Sequence, residues 1–460
     1  MKIRKAEHLI FREYDSFGYL WNYEKQEEIA VSLSACILFH FLTDEYQSFY
    51  VILDKLHAYF DVSRTNMEQF DRDYHCLIDE LRNKHFVETQ DDCSFINEIG
   101  EKSEIVSIKS ANKKSSKIIN MPCQLYAGVF IITENCNNKC VHCYNSYLTR
   151  QSDYMTKEVF DKGLDGCINA GVVRVDISGG EALIHPDIIY FLNRIKDAGL
   201  RFRLYSNAQN VTKQICSVMS EMNLSPASIT LYSKDPETHD TITQNKGSWE
   251  NTIRGLELFK EYGIPFAISV PLTKLNIENF QELCDYCENV LGAAAVGPNP
   301  FLSYTVNHDK TNIDIMPSLE EIQKFARQYN QYALERGYTI YPPKKEKNKD
   351  YKLFNNSFYG SLTFCPNGDI VAGTLLSDIA LGNVLKDDIK NLWKSSQILN
   401  EWRKYTISML QECDDCPVRS YCEPNIGDNW CANHNLLKCD EHFCELNKVY
   451  YQELLQCGMK

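Results

Sequence analysis

The sequence predicts an α/β protein: a partial (β/α)6 barrel with an N-terminal winged-helix-like domain and a C-terminal cysteine-rich domain. Three observations support this. Strand-like and amphipathic helical segments alternate from Gln124 onward, as parallel β/α units require. Residues 1–92 carry their own strand and helix periodicities. Finally, the 19 cysteines are bunched: three fall between Cys136 and Cys143, and seven between Cys413 and Cys457.

At roughly 150 residues per domain, 460 residues make about three domains. Hydrophobic residues at 44% and charged residues at 24% rule out wholesale disorder. A formal net charge of -14, from 48 basic and 62 acidic residues, argues against nucleic acid as the main ligand. No apolar run approaches the roughly 18 residues that span a bilayer. The opening MKIRKAEHLIFREYD lacks an apolar core of signal-peptide length, so a cytoplasmic protein without membrane contact is expected. In that reducing compartment, clustered thiols are more often metal ligands than disulfides.

Within residues 1–92, short strands are expected at Leu9–Tyr14, Gly18–Tyr23 and Glu28–Leu33. Phe49, Ile52, Leu53, Leu56 and Phe60 then mark one apolar helix face, and Met67, Phe70, Tyr74, Leu77, Ile78 and Leu81 another. Thr65 and Glu68 have capping-box spacing. Three strands with three helices is a winged-helix-like order; the plainer alternative is a helical cap on an enzyme. Residues 93–123 read as a linker, with EKSEIVSIKSANKKSSKIIN at their centre. The barrel is expected over 124–305. Its strands would be Ala127–Ile132, Val172–Ile177, Phe202–Tyr205, Ser228–Tyr232, Phe266–Val270 and Ala293–Val296, with helices such as Lys157–Ala170 and Ser248–Tyr262 between them. Residues 306–352 form a bridging segment that ends in the lysine-rich PPKKEKNKDYK, and 353–460 the cysteine-rich tail. Cys284 and Cys287 sit in a helical pattern and read as packing residues.

The first cysteine cluster follows the first barrel strand, in ENCNNKCVHCYN. Three thiolates at the spacing of Cys136, Cys140 and Cys143 can hold three irons of a [4Fe–4S] cube and leave the fourth open. Structural zinc would want a fourth protein ligand, and His142, adjacent to Cys143, is poorly placed to turn to the same metal. The next strand ends in SGGEALIHPD. There Gly179 and Gly180 let backbone come close to a ligand, and the Glu181 carboxylate can receive an amino group. Both motifs fall at the C-terminal ends of barrel strands, where such folds place active sites.

The Cys-x3-Cys-x2-Cys loop, with an aromatic-like residue before its last Cys and Gly-Gly-Glu after it, resembles the radical S-adenosylmethionine (SAM) superfamily. The resemblance implies that Cys136, Cys140 and Cys143 ligate a [4Fe–4S] cluster, that SAM chelates the open iron, and that Gly179, Gly180 and Glu181 bind its amino end. Reductive cleavage of SAM would give a 5′-deoxyadenosyl radical, with a flavodoxin or ferredoxin as electron donor. Ser206 and Asn207 stand where relatives carry a polar pair near SAM, Thr230 where they have a ribose contact, and His239–Asp240 match a usual pair. The family's Ser-Leu-Asp-Gly reads Thr230-Leu231-Tyr232-Ser233 here, which weakens the carry-over of those contacts.

The tail run CDDCPVRSYC with a later Cys resembles the SPASM extension of peptide-modifying radical SAM enzymes. By that resemblance Cys413, Cys416, Cys422 and Cys444 hold one auxiliary [4Fe–4S] cluster; read from the residues alone, four thiolates also suit zinc. The ligands of a second auxiliary cluster are absent: one element reads Gly368 to Gly373 without its Cys, and the other position is Ile426. Cys365, Cys431 and Cys439 are left over. With such an enzyme behind it, the amino-terminal unit resembles the recognition domain with which maturases of ribosomally made peptides hold a precursor's leader, as an added strand beside the third strand and against the last helix. The leading expectation is a peptide maturase that installs a thioether or carbon–carbon crosslink in a leader-bearing precursor. The alternatives are a sulfatase-maturase-like modifier of a protein side chain and a non-catalytic iron–sulfur scaffold. No residue stands out as general acid or base.

Overall fold

The structure, a computed structural model, describes residues 1–13, 18–22, 24–25, 27–60, 62, 67–90, 124–144, 154–303, 314–336, 351–353 and 356–458. Thr65, the linker 93–123 and the lysine-rich loop up to residue 350 lie outside them. The chain divides into two compact units, Met1–Gln124 and Leu125–Lys460.

In the first unit, β1 (Lys2–Lys5) precedes an antiparallel sheet of β2 (Leu9–Glu13), β3 (Gly18–Asn22) and β4 (Glu27–Val31), in that order. The third expected strand stops at Val31 rather than Leu33. Ser32 instead accepts a hydrogen bond from the Ala35 N–H at 3.3 Å and caps α1 (Leu33–Phe41). Next come β5 (Gln47–Ser48), α2 (Phe49–Phe60), α3 (Met67–Asn83) and β6 (Val87–Gln90), and β1 lies between β5 and β6 in a second small sheet that the sequence pattern did not reveal. The apolar faces read from the sequence close one core: Ile52, Leu53 and Leu56 of α2 and Tyr74, Leu77, Ile78 and Leu81 of α3 bury with Leu20, Ile29 and Val31.

The second unit opens with β7 (Ala127–Ile131). It continues through α4 (Lys157–Asn169), β8 (Arg174–Ser178), α5 (Ile188–Asp197), β9 (Arg201–Ser206), α6 (Lys213–Met219), β10 (Asn223–Leu224), β11 (Ala227–Thr230), α7 (Pro236–Thr243), α8 (Ser248–Glu261), β12 (Phe266–Pro271), α9 (Phe280–Tyr286) and β13 (Val296–Asn299). Helix starts follow local chemistry: Thr156 caps α4, Thr212 caps α6, and Asp235 caps α7 ahead of Pro236. The sheet runs β13-β12-β11-β9-β8-β7, all parallel, with short β10 beside β9. The sixth barrel strand lies three residues later than its apolar run Ala293–Val296 suggested. Gly292, at φ 78°, closes the helix before it, so residues 293–295 serve as the connection.

The tail is part of the same sheet. After α10 (Leu319–Glu335) and α11 (Asn356–Tyr359), β14 (Ser361–Phe364) adds parallel to β7, and β15 (Asp369–Val371) and β16 (Ala380–Asn383) continue antiparallel. Phe364 stacks on Phe130 of β7 with ring centroids 4.6 Å apart. The chain ends in α12 (Ile389–Ser395), α13 (Gln397–Trp402), α14 (Ile426–Asn433) and α15 (Glu441–Gly458). On the far side of the barrel α15 packs along α10, whose Phe325 and Tyr329 meet Phe280 of α9, and Tyr450 of α15 meets Phe301 just past β13. The tail thus reaches both open edges of the barrel. Cys284 and Cys287 are buried in the barrel core, as packing residues should be. No described helix is long and apolar enough to cross a membrane.

Candidate active site

The loop after β7 carries Cys136, Cys140 and Cys143, all half-buried. Its base is pinned where Thr133 bridges to Tyr154 and Met155 N–H donates to Ile132 O at 2.8 Å. Its middle is tied to α7: Lys139 and Val141 donate backbone hydrogen bonds to Thr243 O and Ile242 O at 2.9 and 3.0 Å. The glycines at the end of β8 serve the same loop. A Cβ at Gly179 would lie 2.4 Å from Thr133 O, and one at Gly180 would lie 2.4 Å from Asn135 O. Without side chains, Gly180 N–H reaches Thr133 O and Glu181 N–H reaches Asn135 O, both at 2.9 Å. The close backbone approach expected of these glycines is therefore made to the neighbouring loop.

Glu181 is fully buried and joins two strand ends. Its carboxylate accepts from Leu183 N–H at 2.9 Å, Ser206 Oγ at 2.7 Å and Asn207 N–H at 2.7 Å. Burial raises its pKa above the ordinary carboxylate range, and the three hydrogen bonds only partly offset that. A carboxylate has about four lone-pair sites, so room for one more donor remains. Ser206 also accepts from Ala208 N–H at 2.8 Å, while Asn207 O accepts from Thr252 Oγ1 of α8 at 2.9 Å. Glu181, Ser206 and Asn207 therefore form one constellation. Thr230 sits apart from it, half-buried at the last paired position of β11 beside Ser269 of β12. Asp240 of the expected pair accepts from Gly247 N–H, Ser248 Oγ and Trp249 N–H at 2.6–2.9 Å, which fixes the start of α8.

A set of uncharged amides holds the cysteine loop against the end of β9, and sequence reasoning missed it. Asn207 Nδ2 donates to Asn137 Oδ1 at 2.7 Å, and Asn137 Nδ2 donates to Asn210 Oδ1 at 2.9 Å. Asn138 Oδ1 accepts from Gln209 Nε2 at 2.9 Å and Asn245 Nδ2 at 2.8 Å. The one signal available was the density of Asn and Gln in ENCNN and SNAQN. Such a network positions the loop without placing a charge beside the thiols.

Asn138 N–H donates to Cys136 Sγ at 3.4 Å, and Tyr232 OH donates to Cys140 Sγ at 3.6 Å. Burial pushes the Cys136 thiol up to about 12 and the Cys140 thiol up to about 11, and the neighbouring thiols add to the shift at Cys136. Among the described residues no three His, Cys, Asp or Glu side chains form a preassembled metal site. The donor set nevertheless suits a soft iron–sulfur group: three thiols on one loop, N–H and O–H donors aimed at sulfur, and the buried Glu181 carboxylate already engaged by three donors.

In the tail, Cys413 closes a short helical turn, Cys416 N–H donates to Cys413 O at 3.4 Å, and Cys422 Sγ donates to Asn447 Oδ1 of α15 at 3.8 Å. Cys439, left over in the sequence reading, hydrogen-bonds to both Cys413 and Cys444, so its own proton is held firmly while theirs is loosened. Cys431 is buried on α14 and donates to Leu375 O at 3.5 Å, and Cys365 lies in the β14–β15 turn.

Residues 130–287 match the Radical SAM superfamily. The antilisterial bacteriocin subtilosin biosynthesis protein AlbA of Bacillus subtilis is 24% identical over 308 residues, 65% of this chain and 67% of its own length. The AdoMet-dependent heme synthase of Methanosarcina barkeri is 23% identical over 68% of this chain and 94% of its own. In fold the chain is similar to Streptococcus suis SuiB in its crystal structure bound to precursor peptide SuiA, with a TM-score of 0.64 at 16% identity over 96% of this chain and 100% of that one. SuiB bound to S-adenosylmethionine matches at the same TM-score. By motif, sheet topology and family match, residues 130–287 carry a radical SAM domain, and enzymes of that superfamily work with a [4Fe–4S] cluster and S-adenosylmethionine.

Proposed function

We propose that this protein is a peptide maturase. It holds the leader of a ribosomally made precursor on its amino-terminal unit and takes a hydrogen atom from the precursor to install a thioether or carbon–carbon crosslink. The observation carrying the reading is a three-stranded sheet in that unit whose β4, among the described residues, pairs only with β3, on a chain that also carries a radical SAM barrel. An open strand edge is where an extended peptide adds, with main-chain hydrogen bonds supplying affinity. The core below β4 is shared with α3, the helix expected beside such a leader. The names of AlbA and of SuiB with its precursor peptide support the same reading.

In this proposal Cys136, Cys140 and Cys143 hold the [4Fe–4S] cluster, and Gly179, Gly180, Glu181, Ser206, Asn207 and Thr230 face SAM. Cys413, Cys416, Cys422 and Cys444 hold one auxiliary [4Fe–4S] cluster. When bound and reduced by a one-electron donor of the flavodoxin or ferredoxin type, cluster and SAM supply a 5′-deoxyadenosyl radical. The chain's own part is positional. Glu181 offers its remaining lone pair to an amino group, the amide network fixes the cysteine loop, and the barrel wall excludes water. A cytoplasmic setting suits both thiols and precursor. The test is anaerobic turnover of the reconstituted chain with leader-bearing peptides encoded beside its gene. A product lighter by two hydrogens, formed with 5′-deoxyadenosine, supports the reading. Modification of leaderless peptides alone overturns it.

A further inference from the structure

Tyr232 is held at three points. Its backbone N–H donates to His239 Nδ1 at 3.3 Å, its carbonyl accepts from buried Asn276 Nδ2 at 3.0 Å, and its ring is buried to 5% exposure. The phenol held in this way lies between two groups of the cysteine loop, with Cys140 Sγ at 3.6 Å and His142 Nε2 at 2.8 Å. A phenol has one proton. If it goes to sulfur, His142 must donate from Nε2 to the phenolic oxygen, and the three groups form a directed chain from His142 through Tyr232 to Cys140.

We propose that Tyr232 is a positioning residue that sets the reduction potential of the first cluster by donating its hydroxyl hydrogen bond to the Cys140 sulfur, with His142 holding the phenol in place. This rests on the assignment of Cys140 as a cluster ligand. The physical reason is electrostatic. Reduction adds one electron to the cluster from the external donor and moves no proton, so negative charge on the sulfurs rises. An O–H dipole with its positive end on sulfur stabilises that reduced state. In a buried site its effect is larger than in water.

The experiment is an anaerobic redox titration of full-length reconstituted protein, followed by electron paramagnetic resonance. The first cluster is identified as the signal that changes on adding SAM. Tyr232→Phe keeps the ring and removes the donor. The expected result is unchanged iron content, an unchanged second signal, and a SAM-responsive midpoint lower by about a tenfold change in the reduction equilibrium, about 59 mV for one electron. His142→Phe should shift it the same way by less and add nothing to Tyr232→Phe. Should Tyr232→Phe fail to fold, His142→Phe decides alone. An unmoved midpoint with intact iron overturns the inference and leaves the ligand assignment standing. A wild-type protein with iron but no SAM-responsive signal overturns that assignment, and the inference with it.

Discussion

Gly180→Ala is the sharpest test of how the site is assembled. The new Cβ would lie 2.4 Å from Asn135 O, 2.6 Å from Glu134 O and 2.7 Å from Asn135 C, all backbone atoms of the cysteine loop. Ordinary contact needs roughly 3.4 Å, so loop and strand must part by about 1 Å, a displacement that alone can cost about a hundredfold in rate. Overpacking against rigid backbone costs about 1–3 kcal/mol, and stretching the two 2.9 Å hydrogen bonds from Gly180 and Glu181 adds about 1 kcal/mol. At about 2 °C per kcal/mol for a unit of this size, the unfolding midpoint should fall by about 4–8 °C. Thermal unfolding of the protein before cluster reconstitution reads this directly, and iron retained by the first loop after reconstitution should fall with it. Gly297→Ala is the control, because a Cβ there meets open space. If Gly180→Ala kept the wild-type midpoint and full iron while losing only SAM affinity, the glycine would serve the ligand and not the loop.

Ser206→Ala removes a hydroxyl that donates to Glu181 and accepts from Ala208, so a loss of about 1–2 kcal/mol in thermal stability is expected together with weaker SAM binding. In the tail, Cys439→Ala should lower the iron of the auxiliary site if Cys439 helps to hold it, whereas full iron with Cys422→Ala depleted would keep the expected four ligands. Glu453 of α15 accepts from Arg327 and, at 2.6 Å, from Gln323 of α10, and the Arg327 hydrogen bond holds its pKa below the usual carboxylate value. That stabilisation is present above the unfolded-state pKa, roughly 4.3, and lost as pH falls through the lower folded value. Glu453→Gln should therefore cost about 1 kcal/mol at pH 7, Arg327 being largely exposed, and nothing once both states are protonated; equal midpoints at pH 7 would remove the pair from the account. Deleting residues 1–92 should abolish precursor binding, measured by peptide fluorescence anisotropy, yet leave 5′-deoxyadenosine formation.

What could be read from the sequence was local. Cys136, Cys140, Cys143 and Gly179-Gly180-Glu181 lie within short stretches at strand ends, and the helix faces at Phe49–Phe60 and Met67–Leu81 repeat every three to four residues. What escaped depends on distant partners. Two of the three donors to Glu181 come from residues 206 and 207, and the amides at Asn138, Gln209 and Asn245 meet across more than a hundred residues. Cys439 looked surplus because its spacing fits no ligand pattern, yet the turn before α15 brings it to Cys413 and Cys444. At Ala293–Val296 an apolar run imitated a strand, and only the helix end at Gly292 shows where pairing begins. Ser32 misled in the opposite direction: a strand-like run continued into a helix that its side chain starts.

The pairing of β14 with β7 has a consequence for biosynthesis. Ser361 lies opposite Ala127, 234 residues later in the chain. At about 5–20 residues per second, the ribosome needs roughly 12–50 s to deliver the second strand after the first has emerged. Throughout that interval the outer edge of β7, rich in Val, Phe and Ile, has no partner and is open to strand capture by other nascent chains. Chains truncated before Ser361 should therefore aggregate through this edge even with every barrel strand present. Soluble yield should respond more to chaperone supply and slow translation upstream of the tail than to iron.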